Sequence, residues 1–357
     1  MVPLSEDGDR VGRRSYATGR REVCREHRPA LRGEAAPTRP PRAKRPAPRL
    51  VATPPHATAR LLSLVGQAVR MPHFRTYDDA ELHYRVLGPA DSPRPPLVCL
   101  AGGPGRDAAY LGDLGGLAAD RQLILPDSRG TGDSPAAADP ARYAFWQLAE
   151  DLEALRAHLG LERFALLAHD AGAAVAQAYA AGYAQRLTRL VLVCPGSRLQ
   201  GELPDDAQEI FASREHEEWW PKASAAVQQL AEASDMSEVR ELLFAAAPLA
   251  YGRWEEPQQA HAATEGEQLG PVPRAGFWQG VDEQLRMALL AGLREAACPV
   301  LVVTGDRDGV TGMRAGELVA ESFPDARVRP LHEVGHYPWV DAPELFAPLV
   351  EEFLHSA

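Results

Sequence analysis

The residues best equipped for chemistry stand just beyond apolar runs. In Phe164-Ala-Leu-Leu-Ala168-His169-Asp170-Ala171-Gly172-Ala173-Ala174 an apolar run leads straight into a helix of small residues, with one reactive side chain, Asp170, at the junction. A strand-to-helix corner of this kind crowds the backbone, so the residues two before and two after the reactive one must be tiny. Ala168 and Gly172 meet that demand. Later apolar runs are followed by Gly305-Asp306-Arg307-Asp308 and by Glu333-Val334-Gly335-His336-Tyr337-Pro338. Taken singly these are weak signals, because Asp in such a loop is a common turn former and a lone histidine is usually a surface residue. Together they define a chemistry. A carboxylate nucleophile suits displacement at a saturated carbon, which leaves an alkyl ester on the protein. An imidazole can then activate water to hydrolyse that ester. Carboxylate attack on an amide would instead give an anhydride and expel a poor leaving group.

The elements that must position these groups are legible from residue 73 onward. Leu82–Leu87, Pro96–Ala101, Gln122–Pro126, Phe164–Leu167, Leu190–Cys194, Val300–Thr304 and Arg327–Leu331 read as strands. Leu148, Leu152, Leu155 and Leu159 recur at helical spacing, and Ala171–Tyr183 and Pro343–Leu354 read as further helices. Strands with little alternation, each followed by a helix, predict an α/β fold with a mostly parallel, doubly wound sheet. Between Ser197 and about Met287 the alternation gives way to segments rich in Glu, Ala and Gln. That segment is expected to form a helical cap over the sheet's C-terminal edge, where open α/β sheets place ligands. The expected organisation is an extension over 1–70, a core from 71–196 and 288–357, and a cap over 197–287.

The 357-residue composition is globular, with 45% apolar and 24% charged residues, but its charge is uneven. Residues 1–70 hold 15 Lys+Arg against 6 Asp+Glu, and are rich in proline (Pro37, Pro40, Pro41, Pro46, Pro48, Pro54, Pro55). Such a segment buries too little apolar surface to offset its ordering entropy and is expected to be disordered. The remainder holds 23 basic against 43 acidic residues, which argues against nucleic acid as a partner. No run approaches the roughly 18 apolar residues of a membrane span. Cys24, Cys99, Cys194 and Cys298 are scattered, as expected of a reduced, cytoplasmic protein. No Walker loop, dinucleotide fingerprint or HExxH motif occurs, so neither metal nor organic cofactor is expected. The expected partner is a small-molecule substrate; oligomeric state is not written in these spacings.

With these features the chain resembles the α/β-hydrolase superfamily over residues 73–355. Ala101-Gly102-Gly103-Pro104-Gly105 and Asp127-Ser128-Arg129-Gly130-Thr131-Gly132 resemble two loops of its proline iminopeptidase branch, with Ala101 where that branch usually has His. The resemblance implies the order nucleophile, acid, histidine. Asp170 falls at the nucleophile position, where Ser is commonest. Asp308 falls where the family places its acid, with Asp306 as rival, and His336 matches the catalytic histidine. The backbone N–H groups of Gly103 and Ala171 would form the oxyanion hole. An Asp nucleophile, and the His169-Asp170 pair, resemble epoxide hydrolases and haloalkane or haloacid dehalogenases, although Ala171 stands where those often have Trp. His169, His332 and Asp127 read as structural neighbours. Ser128, Ser134 and Ser197 follow no comparable corner.

For the pocket, Trp219, Trp220, Trp254 and Trp278 are the expected aromatic lining or N–H donors, and Tyr251 is the one tyrosine of 197–290 where epoxide hydrolases usually offer two to protonate the opening oxygen. Glu255, Glu256 and Glu265 match the cap carboxylates with which proline iminopeptidases grip a free amine, or form a solvated acidic face. Three functions follow: a hydrolase using Asp170 covalently on an epoxide or similar electrophile; a proline iminopeptidase-like amidase or esterase; and a silent member that binds an amine-bearing ligand.

Overall fold

Short apolar runs become strands because both faces of the sheet are covered. A computed structural model describes residues 71–356, and the extension expected over 1–70 lies outside them. The elements in chain order are β1 (His73–Arg75), β2 (Glu81–Leu87), β3 (Leu97–Leu100), β4 (Leu123–Pro126), α1 (Phe145–His158), β5 (Phe164–His169), α2 (Gly172–Tyr183) and β6 (Leu187–Val193). Seven helices follow: α3 (Asp206–Ser213), α4 (Trp220–Leu230), α5 (Met236–Ala246), α6 (Glu256–Ala262), α7 (Glu265–Gln268), α8 (Pro271–Gly276) and α9 (Glu283–Arg294). The chain closes with β7 (Val300–Gly305), α10 (Arg314–Ala320), β8 (Ala326–Leu331), α11 (Pro338–Asp341) and α12 (Pro343–His355).

The eight strands lie in the order β1-β2-β4-β3-β5-β6-β7-β8. β2 runs antiparallel to β1 and β4, and every pairing from β4 to β8 is parallel. Successive residues of the central strands feed opposite apolar layers, which is why their sequence does not alternate. Leu166, Leu190, Leu192 and Val302 join Phe145, Leu155 and Tyr179 on one face. Leu167, Val191, Val193 and Val303 join Phe346, Val350 and Phe353 on the other. The parallel arrangement brings the loops after β3, β5, β6, β7 and β8 to one edge, and Gly103, Asp170, Asp308 and His336 stand in those loops.

The strand reading holds to within a few residues at each end. β1 was not foreseen, because three residues carry no periodicity. The boundary expected at 287 falls inside α9, which packs on α2: a side chain on Gly292 would come within 2.6 Å of the Ala181 carbonyl oxygen. The described residues form one compact unit, and none of their helices is long and apolar enough to cross a membrane.

Candidate active site

β5 ends at His169, and the next residue, Asp170, adopts φ 47°, a left-handed conformation that a non-glycine residue takes only under constraint. Its own amide donates to the Val193 carbonyl (3.0 Å), and its carbonyl accepts from the Ala173 amide (2.9 Å) as α2 begins. The corner is tight. A side chain at Gly172 would lie 2.4 Å from the Ala101 carbonyl oxygen, and one at Gly102 would lie 2.7 Å from the Asp170 Cβ. Those two glycines let the loop after β3 close on Asp170. There the Gly103 N–H donates to Asp170 Oδ2 at 2.7 Å.

Asp170 Oδ1 stands 3.9 Å from His336 Nε2, and 19% of the Asp170 side chain is exposed. The other ring nitrogen, His336 Nδ1, is 2.9 Å from Asp308 Oδ2. Asp308 is fully buried and accepts from the amides of Val310 and Thr311 and from the Thr311 hydroxyl, so its orientation is over-determined. Asp306 instead lies 2.5 Å from His332 Nδ1. Asp308, not its rival, is therefore the carboxylate on His336.

Burial works against charge at all three groups, and their mutual attraction outweighs it. Asp170 is held below the usual carboxylate range: burial pushes its pKa up, but His336, His169 and the amides of Gly103 and Ala171 pull it down further. Asp308 is lowered likewise, with His336 as the main opposing influence to burial. For His336 burial pushes down, while Asp308, through its charge and hydrogen bond, with Asp170 and Glu265, carries the pKa above the ordinary histidine value. A base must be neutral to take a proton, so a His336-dependent step should slow as pH falls through that raised pKa and level off above it. A kcat profile with its acid limb below the ordinary histidine value would contradict this.

A second set of contacts joins the loop after β3 to the histidine loop. The Gly102 amide donates to Tyr110 Oη (2.7 Å), which lies 2.8 Å from His169 Nδ1; His169 Nε2 lies 2.9 Å from the His336 carbonyl oxygen. A carbonyl only accepts, so Nε2 carries the proton and Nδ1 accepts from the tyrosine. Burial holds His169 neutral, its pKa lowered to about 3. His169 thus ties two loops together, a part that its place beside Asp170 in the sequence did not reveal. Among the described residues Cys194, Asp308 and His336 have ligand-type atoms within 4.8 Å of one another. The Asp308–His336 hydrogen bond already uses two of them, and burial keeps the Cys194 thiol protonated.

The residues expected to line the pocket need correction. Trp219, Trp254 and Glu255 line a recess with Arg214 and Arg307 that includes none of Asp170, Asp308 and His336. Trp219 Nε1 donates to Glu217, and Trp220 Nε1 to the Phe211 carbonyl, both within the helical insertion. Trp278 packs against Phe145 and Phe277. Tyr251 is fully buried with its hydroxyl on His261 Nδ1 (2.7 Å), and Glu256 is exposed in the first turn of α6. Among the described residues none of these side chains hydrogen-bonds to or stacks against Asp170, Asp308 or His336. The insertion carboxylate that reaches the site is Glu265, 3.8 Å from Arg106 Nη1. Arg106 is buried, with its guanidinium 4.1 Å from the Tyr110 ring centre and Nη1 donating to Tyr337 Oη at 3.0 Å. Its signal in the sequence was an arginine directly after Gly-Gly-Pro-Gly.

The family model described as alpha/beta hydrolase fold matches residues 95–343. A proline iminopeptidase of Lactobacillus helveticus (strain DPC 4571) is 39% identical over 106 residues, a stretch covering 29% of this chain and 36% of that enzyme. One from Heyndrickxia coagulans is 24% identical over 283 residues, covering 73% of this chain and 91% of the relative. The crystal structure of proline iminopeptidase from Mycobacterium smegmatis superposes with a TM-score of 0.62 at 21% identity, covering 80% of this chain and 97% of that one.

Proposed function

Since the chain belongs to the alpha/beta hydrolase fold family, we propose that it is a hydrolase in which Asp170 is alkylated by a small epoxide and His336, held by Asp308, directs water to the resulting ester. One observation carries this reading. Asp170 Oδ2 accepts from Gly103 at 2.7 Å, while Oδ1 is left facing His336 Nε2 at 3.9 Å.

The two oxygens divide the work. Oδ1 attacks a ring carbon, the ring C–O bond breaks, and the ring oxygen leaves as an alkoxide that takes a proton from solvent. Oδ2 then becomes the carbonyl oxygen of an ester, already against the Gly103 amide and adjoining that of Ala171. His336 Nε2 takes a proton from water, and the hydroxide adds to the ester carbon. Negative charge grows on Oδ2, where those preorganised donors stabilise it. Collapse breaks the ester bond, the His336 proton passes to the departing alcohol to complete the diol, and the new carboxylic acid returns to solvent the proton the alkoxide had taken, restoring the carboxylate.

Descent from a proline iminopeptidase-like enzyme offers the alternative of a prolyl amide. That substrate's carbonyl oxygen would have to displace the protein's own charged oxygen from Gly103. The carboxylate that would grip its amine, Glu265, is already matched by Arg106.

The test is a single turnover of styrene oxide with enzyme in excess in oxygen-18 water. The label is expected in the Asp170 side chain and absent from the first-formed diol. Label in the diol with Asp170 unlabelled would overturn the reading.

A further inference from the structure

The loop carrying the Gly103 amide projects beyond β3, and what holds it is the insertion. The Asp107 amide donates to the Gln268 carbonyl (3.1 Å), the Gly270 amide to the Gly105 carbonyl (2.9 Å), and Arg106 and Leu269 form an antiparallel bridge. Arg106 fixes the seam from inside, with Nε on Gln268 Oε1 (3.0 Å) and Nη2 on Thr264 Oγ1 (3.1 Å). At the end of the seam Arg274 Nη1 donates to the Gly103 carbonyl at 2.6 Å.

Gly103 is therefore gripped on both sides, its N–H on Asp170 and its C=O on Arg274, at φ 86°. Glycine reaches that conformation freely and leaves it as freely. A modest rotation would swing the N–H off the carboxylate. We propose that Arg274 is a positioning residue, which by holding the Gly103 carbonyl keeps the Gly103 amide on Asp170. The effect on turnover rests on Asp170 being the nucleophile; the hold on the amide does not.

Arg274 is exposed, and Gly103 is its one side-chain partner among the described residues, so its replacement should leave the fold intact. The experiment follows the Asp170 carboxyl by carbon-13 NMR through a pH titration, with Asp170→Asn identifying the signal. Arg274→Ala is expected to raise the Asp170 midpoint by about one pH unit, a tenfold change in ionisation. Arg274→Met, which keeps the aliphatic stem, should do the same. Arg274→Lys, which keeps a donor, should hold the wild-type value. With styrene oxide, Arg274→Ala should lower kcat about tenfold and leave KM within about twofold. An unmoved midpoint in Arg274→Ala, or a Lys variant displaced as far as the Ala variant, overturns the proposal. If the midpoint moves as stated but the oxygen-18 label never enters Asp170, the positioning stands and the proposed reaction falls.

Discussion

Replacing His336 by Gln is expected to stop the enzyme halfway, as a covalent adduct of one epoxide per chain. Alkylation needs only the Asp170 carboxylate. In the variant that group loses the attraction of His336 but keeps the Gly103 amide at 2.7 Å, so it stays ionised at neutral pH. Glutamine cannot take a proton from water, and the ester should persist. Intact-mass analysis after mixing with styrene oxide should show protein plus one substrate mass, mapped to Asp170. Steady-state turnover should fall by a factor on the order of 10⁴. An unmodified variant, or an adduct elsewhere, would remove the covalent mechanism.

Asp170→Asn tests the other half. The amide oxygen can still accept from Gly103, so the loop after β3 should keep its place. The amide is a far weaker nucleophile, and turnover should drop on the order of 10⁴-fold or more. Far-ultraviolet circular dichroism should match the wild type. The double variant Asp170→Asn/His336→Gln should form no adduct. Residual activity within tenfold of the wild type would move the chemistry away from this corner.

Most of this was legible in the chain because the central strands are buried on both faces. The runs Phe164–Ala168 and Val300–Val303 are apolar throughout, and each ends shortly before a reactive group at the same sheet edge. The choice of Asp308 over Asp306 rested on the family resemblance alone: the two are two residues apart, and only the path of the loop brings Asp308 to His336. The pocket was misread for a related reason. Aromatics and acids in a helical insertion look alike whether they face a ligand or protein, and Trp219 and Trp220 bond within the insertion while Trp278 packs on Phe145 of α1. The hydrogen bonds of Arg106 to Tyr337, Tyr110 to His169 and Arg274 to Gly103 span 59 to 231 positions, separations that no local pattern encodes.

Buried amides with nothing to donate to are costly, and an enzyme that reserves them for a visitor carries that cost whenever it is idle. Here the idle protein answers its own demand: the Gly103 N–H donates to the Asp170 carboxylate, and under the proposed mechanism the same oxygen remains its acceptor as ester carbonyl and as tetrahedral oxyanion. Under that mechanism turnover needs no recruitment of the loop by its guest, and empty and occupied molecules are expected to share one backbone arrangement at this corner.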